Sequence, residues 1–162
     1  MLVQKIETNL DLDLINKELE CLPKFKGSQI MLQTVDMPNH LSIDPLYGTG
    51  RITEIEHNEP DFINPIWPTP YLNDIINRHD MIRTRVMTMK SKLAYRMHRD
   101  YSMRYHIPLI TNENCFFIID ENIIRLPADG SLYLVDTNYP HTFVNASGEL
   151  RTHIVGVQRA NY

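Results

Sequence analysis

At 162 residues the chain is long enough for one domain with a substantial hydrophobic core. Its 43% hydrophobic and 22% charged residues are proportions typical of soluble globular proteins, not of disordered chains. The net charge of −4 argues against a nucleic-acid-binding surface, which is usually basic. No apolar run approaches the ~20 residues of a membrane span, and the first residues lack the layout of a signal peptide. The two cysteines, Cys21 and Cys115, favour reduced thiols, so we expect a cytoplasmic protein without membrane contact.

The first 35 residues predict two strands and one helix. Residues 3–8 predict a short edge strand. Residues 12–22 carry apolar side chains at helical spacing, with Asp11 placed to cap the helix and Pro23 to end it. Residues 29–35 alternate as a strand does. We expect these elements to pack on the outside of a main sheet, and they carry no recognisable chemistry.

Residues 36–70 predict a long loop, because six of the ten prolines fall there and apolar periodicity is lost. Long loops in compact domains are usually functional or mobile. One interpretation is a lid over the mouth of a barrel, with Tyr47 and Trp67 as its contacts. The other is a surface loop with Trp67 packed against the core. We interpret His40 and His57 as solvated loop histidines.

A helix is predicted to begin with Thr69 as its N-cap and Pro70 at its first position, and to end near Arg78. His79 would then lie at the helix C-terminus, where a cationic side chain is favourable, instead of binding a metal.

Residues 81–90 alternate as a strand with two distinct faces. If the face with Arg83, Arg85, Met87 and Met89 lines a cavity, Arg85 could meet an anionic substrate. The alternative is a pair of exposed arginines on a sheet face. The pattern does not decide between the two.

Short strands separated by turn signals fill the remainder of the chain. This pattern is typical of an antiparallel barrel or sandwich of the jelly-roll kind. The predicted strands are 103–109, 115–119, 122–126, 132–135, 142–144 and 152–157, with turns at 120–121, 129–130 and 145–148.

Three residues in this region suggest a metal site. Side chains at positions i and i+2 of an extended segment point the same way, so His98 and Asp100 can face one point. Alone, His-x-Asp is as consistent with a loop histidine beside a solvated aspartate. A jelly roll brings distant strands together, and His141 would then complete two histidines and one carboxylate, the set used by non-heme Fe(II) oxygenases. Arg151 would supply a planar fork for the far carboxylate of a 2-oxo acid.

Other polar residues have candidate supporting roles. Asp136 could hydrogen-bond the ring nitrogen of a metal histidine. We interpret Asn145 as a turn residue and His153 as a core histidine or one that supports the site. Arg104 and His106 share a strand face; the alternative to a functional role is an arginine paired with a surface acid and a histidine satisfied in the core.

One ordered set of motifs resembles the aspartyl/asparaginyl β-hydroxylase family over about residues 83–157. The set is Arg96-Met-His98-Arg-Asp100, Arg104-Tyr-His106-Ile-Pro108-Leu109, Gly130, Asp136, Pro140-His141-x-x-x-Asn145 and Arg151.

The resemblance implies a mainly β fold with flanking helices, a double-stranded β-helix (cupin-like jelly roll). It implies an Fe(II)- and 2-oxoglutarate-dependent dioxygenase, with His98, Asp100 and His141 as iron ligands. Arg151 would bind the 2-oxoglutarate C5 carboxylate. Arg104 and His106 would lie near its other carboxylate or the substrate, as cofactor-binding and catalytic residues.

We therefore expect one dioxygenase domain over 1–162, with N-terminal elements in 1–80 and a β-helix core in 81–157. Its partners would be O2 and a small amino-acid-like carboxylate or a peptide carrying Asp or Asn. Two alternatives are a cupin-like metal enzyme that needs no 2-oxo acid and a non-catalytic binding module of the same fold. Arg151 counts against the first, and the complete set of three ligands counts against the second.

Overall fold

A computed structural model describes residues 1–24, 28–35 and 57–159 of the chain. Within these ranges it contains two α-helices, a 3₁₀ turn at Glu59–Asp61 and twelve strands. In chain order the helices and strands are β1 (Val3–Glu7), α1 (Leu12–Leu19), β2 (Gln29–Met31), β3 (Gln33–Thr34), β4 (Asn64–Pro65), α2 (Pro70–Arg78), β5 (Met81–Met89), β6 (Leu93–Ala94), β7 (Arg104–Ile110), β8 (Cys115–Ile119), β9 (Asn122–Ile124), β10 (Leu132–Val135), β11 (His141–Asn145) and β12 (Arg151–Gln158).

Two antiparallel sheets form the body of the domain. The larger has the order β1-β10-β7-β12-β5-β2 and the smaller has the order β6-β11-β8-β9, while β3 and β4 pair separately. Chain neighbours are therefore often not sheet neighbours: β12 lies between β5 and β7. This arrangement is a double-stranded β-helix with flanking helices, so the predicted fold class is confirmed.

Both helices pack on the outer face of the larger sheet. Their apolar sides form one buried cluster with the strand residues that point outwards, as expected for amphipathic helices. Members of this cluster include Ile15, Leu72, Ile75, Ile76, Val86, Ile107 and Ile154. A second cluster fills part of the space between the two sheets, and it includes Phe117, Ile119, Val135 and Phe143. The unfilled part of that space is the cavity that contains the candidate site.

The N-terminal strands close the edges of the larger sheet. The predicted strand 3–8 is β1, and it pairs with β10 at one edge. The prediction of one continuous strand over 29–35 is wrong, because the chain turns away at Leu32. The Leu32 N–H donates to the Thr84 carbonyl at 2.8 Å, whereas its carbonyl accepts from Ile66 N–H at 3.0 Å. Residues after Leu32 consequently pair with β4.

Trp67 packs against the core, in agreement with the second interpretation of the loop. Its indole N–H donates to the Met31 carbonyl at 2.8 Å, and its ring contacts the helix-side cluster. His57 lies against Phe62 with ring centroids 6.3 Å apart. The predictions for Tyr47 and His40 fall outside the described residues.

The N-terminus of α2 is capped by another helix. Thr69 occupies the predicted N-cap position but makes no capping hydrogen bond with its side chain. The Glu18 carboxylate instead accepts from the Tyr71 and Leu72 N–H groups at 2.8 and 2.9 Å. The negative charge also suits the positive end of the helix dipole. His79 is the C-cap of α2, as expected, and its Nε2 lies 2.5 Å from the Glu7 carboxylate. None of the helices in the described ranges is long and apolar enough to cross a bilayer.

Asn145 holds together the strands that carry the candidate site. It is fully buried, and its amide nitrogen lies within 3.1 Å of the carbonyl oxygens of Met89, Lys90 and Glu149. Its amide oxygen accepts from the Ser147 N–H and hydroxyl at 3.1 and 2.7 Å. The side chain thus ties the end of β5 to the turn between β11 and β12, in agreement with its interpretation as a turn residue.

We predict that Asn145→Ala lowers the free energy of unfolding by about 2–4 kcal/mol, because several buried backbone groups lose their partner. Urea denaturation measures the change. Asn16→Ala, at an exposed position of α1, is the control and should change stability by less than ~0.5 kcal/mol. Equal effects in the two variants would contradict a structural role for Asn145.

Candidate metal centre

A short backbone pairing places the two metal-site histidines side by side. The His98 N–H donates to the His141 carbonyl at 3.0 Å, and the His141 N–H donates back to His98 at 2.8 Å. Residues that exchange both hydrogen bonds in an antiparallel pair carry their side chains on the same face. The ring centroids are accordingly 4.3 Å apart. The Asp100 N–H extends the pairing by donating to the Thr137 carbonyl at 2.9 Å.

The three predicted ligands converge as a result. His98, Asp100 and His141 each offer one ligand atom, and these atoms all lie within 4.8 Å of one another. The His141 Nε2 atom is 3.9 Å from the nearer Asp100 carboxylate oxygen. Across the ranges 1–24, 28–35 and 57–159 this is the one cluster of His, Cys, Asp or Glu with such geometry.

Backbone carbonyls determine which ring nitrogen of each histidine is free. The His98 Nδ1 atom lies 2.7 Å from the Arg96 carbonyl, and the His141 Nδ1 atom lies 3.0 Å from the Tyr139 carbonyl. A carbonyl only accepts, so Nδ1 carries the proton and Nε2 presents its lone pair. Burial also lowers the pKa of His141, which favours the neutral ring that binds metals.

The role predicted for Asp136 is wrong. Its carboxylate accepts from the backbone and side-chain nitrogens of Asn138 at 3.2 and 2.9 Å. The tautomers of His98 and His141 are set by the backbone carbonyls two residues before each ring, so no acidic side chain is needed for this.

Arg104 keeps the carboxylate of the triad ionised. Its Nε donates to the Asp100 carboxylate at 2.9 Å. Burial alone would raise the pKa of Asp100, but the charge and hydrogen bond of Arg104 outweigh it, and the pKa is lowered. This contact shows that Arg104 orients Asp100. It does not test the predicted cofactor-binding role of Arg104, which stays a prediction.

Glu59 is a site residue that the sequence patterns did not indicate. Its carboxylate pairs with Arg83 and lies 3.0 Å from two guanidinium nitrogens of Arg104, and the Ser102 hydroxyl donates to it at 3.3 Å. The 3₁₀ turn that carries it is anchored by the buried ring of Phe62. Electrostatics offered one signal for such a residue, because Arg83 and Arg104 on inward strand faces require a buried acid from another part of the chain.

Two further arginines in the cavity have no acidic partner among the described residues. Arg151 is 2% exposed, and its guanidinium lies 4.0 Å over the Phe143 ring while its Nε has no hydrogen-bond partner. Arg85 is 8% exposed, its Nε contacts the Met87 sulfur at 3.3 Å, and its Nη1 is unpaired. Burial lowers the pKa of each to about 9. The alternative of Arg85 on an exposed face is therefore wrong.

His106 and His153 lie beside each other behind this site. Both are buried, and their Nδ1 atoms are 3.5 Å apart. Burial, followed by the nearby charge of Arg151, holds the pKa of both well below the usual value, so both rings are neutral. His153 is thus the core histidine expected beside the site. His106 lines the cavity, as a cofactor or substrate contact must.

One cavity of about 920 Å³ between the sheets collects these groups. It contains the triad, His106 and five arginines, with apolar walls from side chains of both sheets. The arginines are Arg83, Arg85, Arg104, Arg151 and the exposed Arg96. Its size and its few convergent polar groups are typical of small-molecule sites. The cavity lining includes Gln29, Arg83, Arg85, Met87, His98, Asp100, Arg104, His106, Phe117, His141, Phe143, Arg151 and Val155.

Comparison with known proteins now identifies the family. Residues 65–157, more than half of the chain, match the family described as aspartyl/asparaginyl β-hydroxylase. The chain belongs to the aspartyl/asparaginyl β-hydroxylase family. The triad, Arg104, His106 and Arg151 all lie within the matched span, whereas Gln29 and Glu59 precede it. Membership in this family supports an oxygenase or hydroxylase at the level of the family.

Two solved structures align with this family member. An oxidoreductase of the 2OG-Fe(II) oxygenase family from Burkholderia pseudomallei has 16% sequence identity, a TM-score of 0.52, and an alignment over 90% of this chain and 76% of that one. The DMSP lyase DddQ from Ruegeria pomeroyi DSS-3 has 17% identity and a TM-score of 0.39 over 46% of this chain and 36% of its own. The first likeness concerns the fold, and the second is too small to argue from. No curated protein matches the sequence.

We predict that Arg104→Met shifts metal binding to higher pH. Without the guanidinium, burial raises the pKa of Asp100, and protons compete with the metal over a wider range. The pH at half-saturation with Co(II) should rise by roughly one unit or more. Arg104→Lys, which keeps a charge, should shift it less, and the exposed Arg99→Met should not shift it. An unchanged profile in Arg104→Met would contradict this role.

Proposed function

We propose that this protein is an Fe(II)- and 2-oxoglutarate-dependent dioxygenase that hydroxylates an amino acid or an Asp/Asn-type side chain. One observation carries the proposal: the triad and the unpaired guanidinium of Arg151 line the same cavity. The triad offers the ligands that a divalent metal requires, and the buried guanidinium of Arg151 requires an anion.

The donor set fits iron. Two neutral imidazoles with free Nε2 atoms and one ionised carboxylate are the ligands that non-heme Fe(II) oxygenases use. His98, Asp100 and His141 would hold the metal and leave the cavity side open for other ligands. When bound, iron and 2-oxoglutarate supply the oxidising chemistry that consumes O2 and yields succinate and CO2 with the hydroxylated product.

Arg151 fits the C5 carboxylate of 2-oxoglutarate. An unpaired buried charge is costly to a fold, so a guanidinium kept without an acid suits a site completed by a ligand. The Phe143 ring under the guanidinium holds its plane in place, which presents the fork to a carboxylate in a defined orientation.

The remaining residues of the site prepare it for these ligands. Arg104 holds Asp100 ionised and oriented, and with His106 it is proposed to lie beside the C1 end of 2-oxoglutarate or the substrate. Phe117, Phe143 and Val155 form apolar walls that exclude water and strengthen the polar contacts inside.

The two alternative functions explain fewer of these features. A cupin-like metal enzyme without a 2-oxo acid leaves the buried charge of Arg151 without purpose. A non-catalytic module leaves unexplained why three ligands, two histidine tautomers and the ionisation of Asp100 all favour metal binding.

We predict that anaerobic protein with Fe(II) and 2-oxoglutarate develops the weak visible charge-transfer band of a chelated 2-oxo acid. His141→Ala should abolish the band because a metal ligand is lost. His57→Ala, outside the cavity, should retain it. Wild-type protein with neither the band nor affinity for iron would refute the proposed function.

We predict that Arg151→Ala weakens 2-oxoglutarate binding while Fe(II) binding is retained. Loss of a buried charge-assisted contact costs on the order of 2–5 kcal/mol. The dissociation constant should therefore rise roughly 30-fold or more. Lysine at this position should rescue binding only in part, since it offers no planar fork.

Titration of the visible band with 2-oxoglutarate measures the constant. Arg125→Ala, at an exposed arginine directly after β9, is the control and should leave the constant unchanged. An unchanged constant in Arg151→Ala would move the carboxylate site to another arginine of the cavity.

A further inference from the structure

Two buried polar atoms on one wall of the cavity have no hydrogen-bond partner among the described residues. One is a donor, the Nη1 atom of Arg85, and the other is the carboxamide oxygen Oε1 of Gln29. Both residues line the cavity that contains the triad. Neither is a metal ligand, and neither is needed to bind 2-oxoglutarate at Arg151. Buried polar atoms normally have partners, so this pair indicates a ligand.

Strand pairing places the two atoms' side chains next to each other. Gln29 of β2 pairs directly with Met87 of β5, and Arg85 precedes Met87 by two residues on the same strand. Gln29 and Arg85 are thus diagonal neighbours, which lie about 7–8 Å apart, with their Cβ atoms somewhat closer. The sulfur of Met87 lies 3.3 Å from the Arg85 Nε and forms an apolar surface beside the pair.

The neighbouring cations are already neutralised. Arg83 and Arg104 both bind the Glu59 carboxylate, and Arg104 also binds Asp100. Arg96 also lines the cavity, but its side chain is exposed. With Arg151 assigned to 2-oxoglutarate, Arg85 is the buried cation of the described cavity wall that is left to bind one more carboxylate. Glu59 therefore limits this part of the cavity to a single additional anionic group.

We infer that Arg85 and Gln29 bind the carboxylate and the amino group of a free α-amino acid. This inference rests on the proposed function and names the substrate class of the same site. A guanidinium binds a carboxylate through two parallel hydrogen bonds, and a carboxamide oxygen accepts from an ammonium or secondary ammonium group. In an α-amino acid the carboxylate and the amino group are attached to the same carbon, so two neighbouring protein side chains can bind both groups at once.

A residue inside a polypeptide does not satisfy this pair. Its carboxyl and amino groups are converted to peptide bonds, which leaves the charge of Arg85 buried without an anion and costs binding energy. The amino acid side chain would extend over Met87 and Phe117 towards the triad. Gln29 lies before the span that matches the family, so this selectivity comes from the N-terminal edge strand of this chain.

The first part of the test uses the twenty L-α-amino acids as probes. Each is added to anaerobic wild-type protein with Fe(II) and 2-oxoglutarate, and a change in the visible band reports binding near the metal. Succinate release in air is the second readout. For each amino acid that responds, its N-acetyl derivative, its α-carboxamide and the same residue between two glycines should bind roughly tenfold or more weakly.

The second part uses variants of the two residues. Arg85→Met and Gln29→Leu should each weaken the free amino acid by roughly tenfold or more, while the band from Fe(II) and 2-oxoglutarate persists. Arg85→Lys should retain part of the affinity. The matched controls are the exposed Arg125→Met and Gln4→Leu, which should behave as wild type.

The possible outcomes separate this inference from the proposed function. Blocked derivatives that bind as well as the free acid, or a wild-type band that no amino acid changes, overturn the inference and leave the dioxygenase standing. A band lost in Arg85→Met also overturns it and assigns Arg85 to 2-oxoglutarate. A wild-type protein without the band removes the proposed function and this inference with it.

Discussion

The paired backbone hydrogen bonds between His98 and His141 are the constraint on which the site depends. They join a segment leading into β7 to the start of β11, and main-chain bonding brings the two imidazoles to one face with their centroids 4.3 Å apart. Asp100 follows in register because alternate residues of an extended chain share a face. The residues two positions before each histidine supply the carbonyls that fix both tautomers. One short antiparallel pairing therefore sets the position, orientation and free lone pairs of the candidate metal ligands.

Buried charge organises the rest of the cavity. Glu59 and Asp100 compensate Arg83 and Arg104, which stabilises the folded chain without a ligand. Arg85 and Arg151 have no such acid among the described residues, and their burial costs free energy that a bound anion can recover. The paired arginines, Arg83 and Arg104, thus have a structural role, whereas the unpaired Arg85 and Arg151 are suited to bind ligands.

Much of the fold was predictable because its signals are local. The turn at Asp120 and Glu121, both with positive φ, joins β8 and β9 where alternating apolar residues predicted a hairpin. Gly130 also has a positive φ, and a Cβ atom there would lie 2.8 Å from the Leu10 carbonyl oxygen. The triad was predictable because its spacing and the jelly-roll pattern act together.

Long-range ionic contacts were not predictable in the same way. Glu59 lies in a proline-rich loop and meets arginines 24 and 45 positions later in the chain, and no periodicity records such a partner. Glu18 caps a helix 53 positions away for the same reason. Asp136 was predicted to hydrogen-bond a metal histidine, but backbone carbonyls occupy that position. Sequence patterns indicate the partners of side chains better than they indicate those of the main chain.

We propose that the triad and Arg151 together bind a metal and a 2-oxo acid. A crystal structure of the protein with Mn(II) and 2-oxoglutarate, with anomalous scattering to locate the metal, tests it most directly. We expect one metal bound by Nε2 of His98, Nε2 of His141 and the Asp100 carboxylate, with the C5 carboxylate of 2-oxoglutarate on the Arg151 guanidinium. Metal bound elsewhere, or 2-oxoglutarate bound away from Arg151, would contradict it.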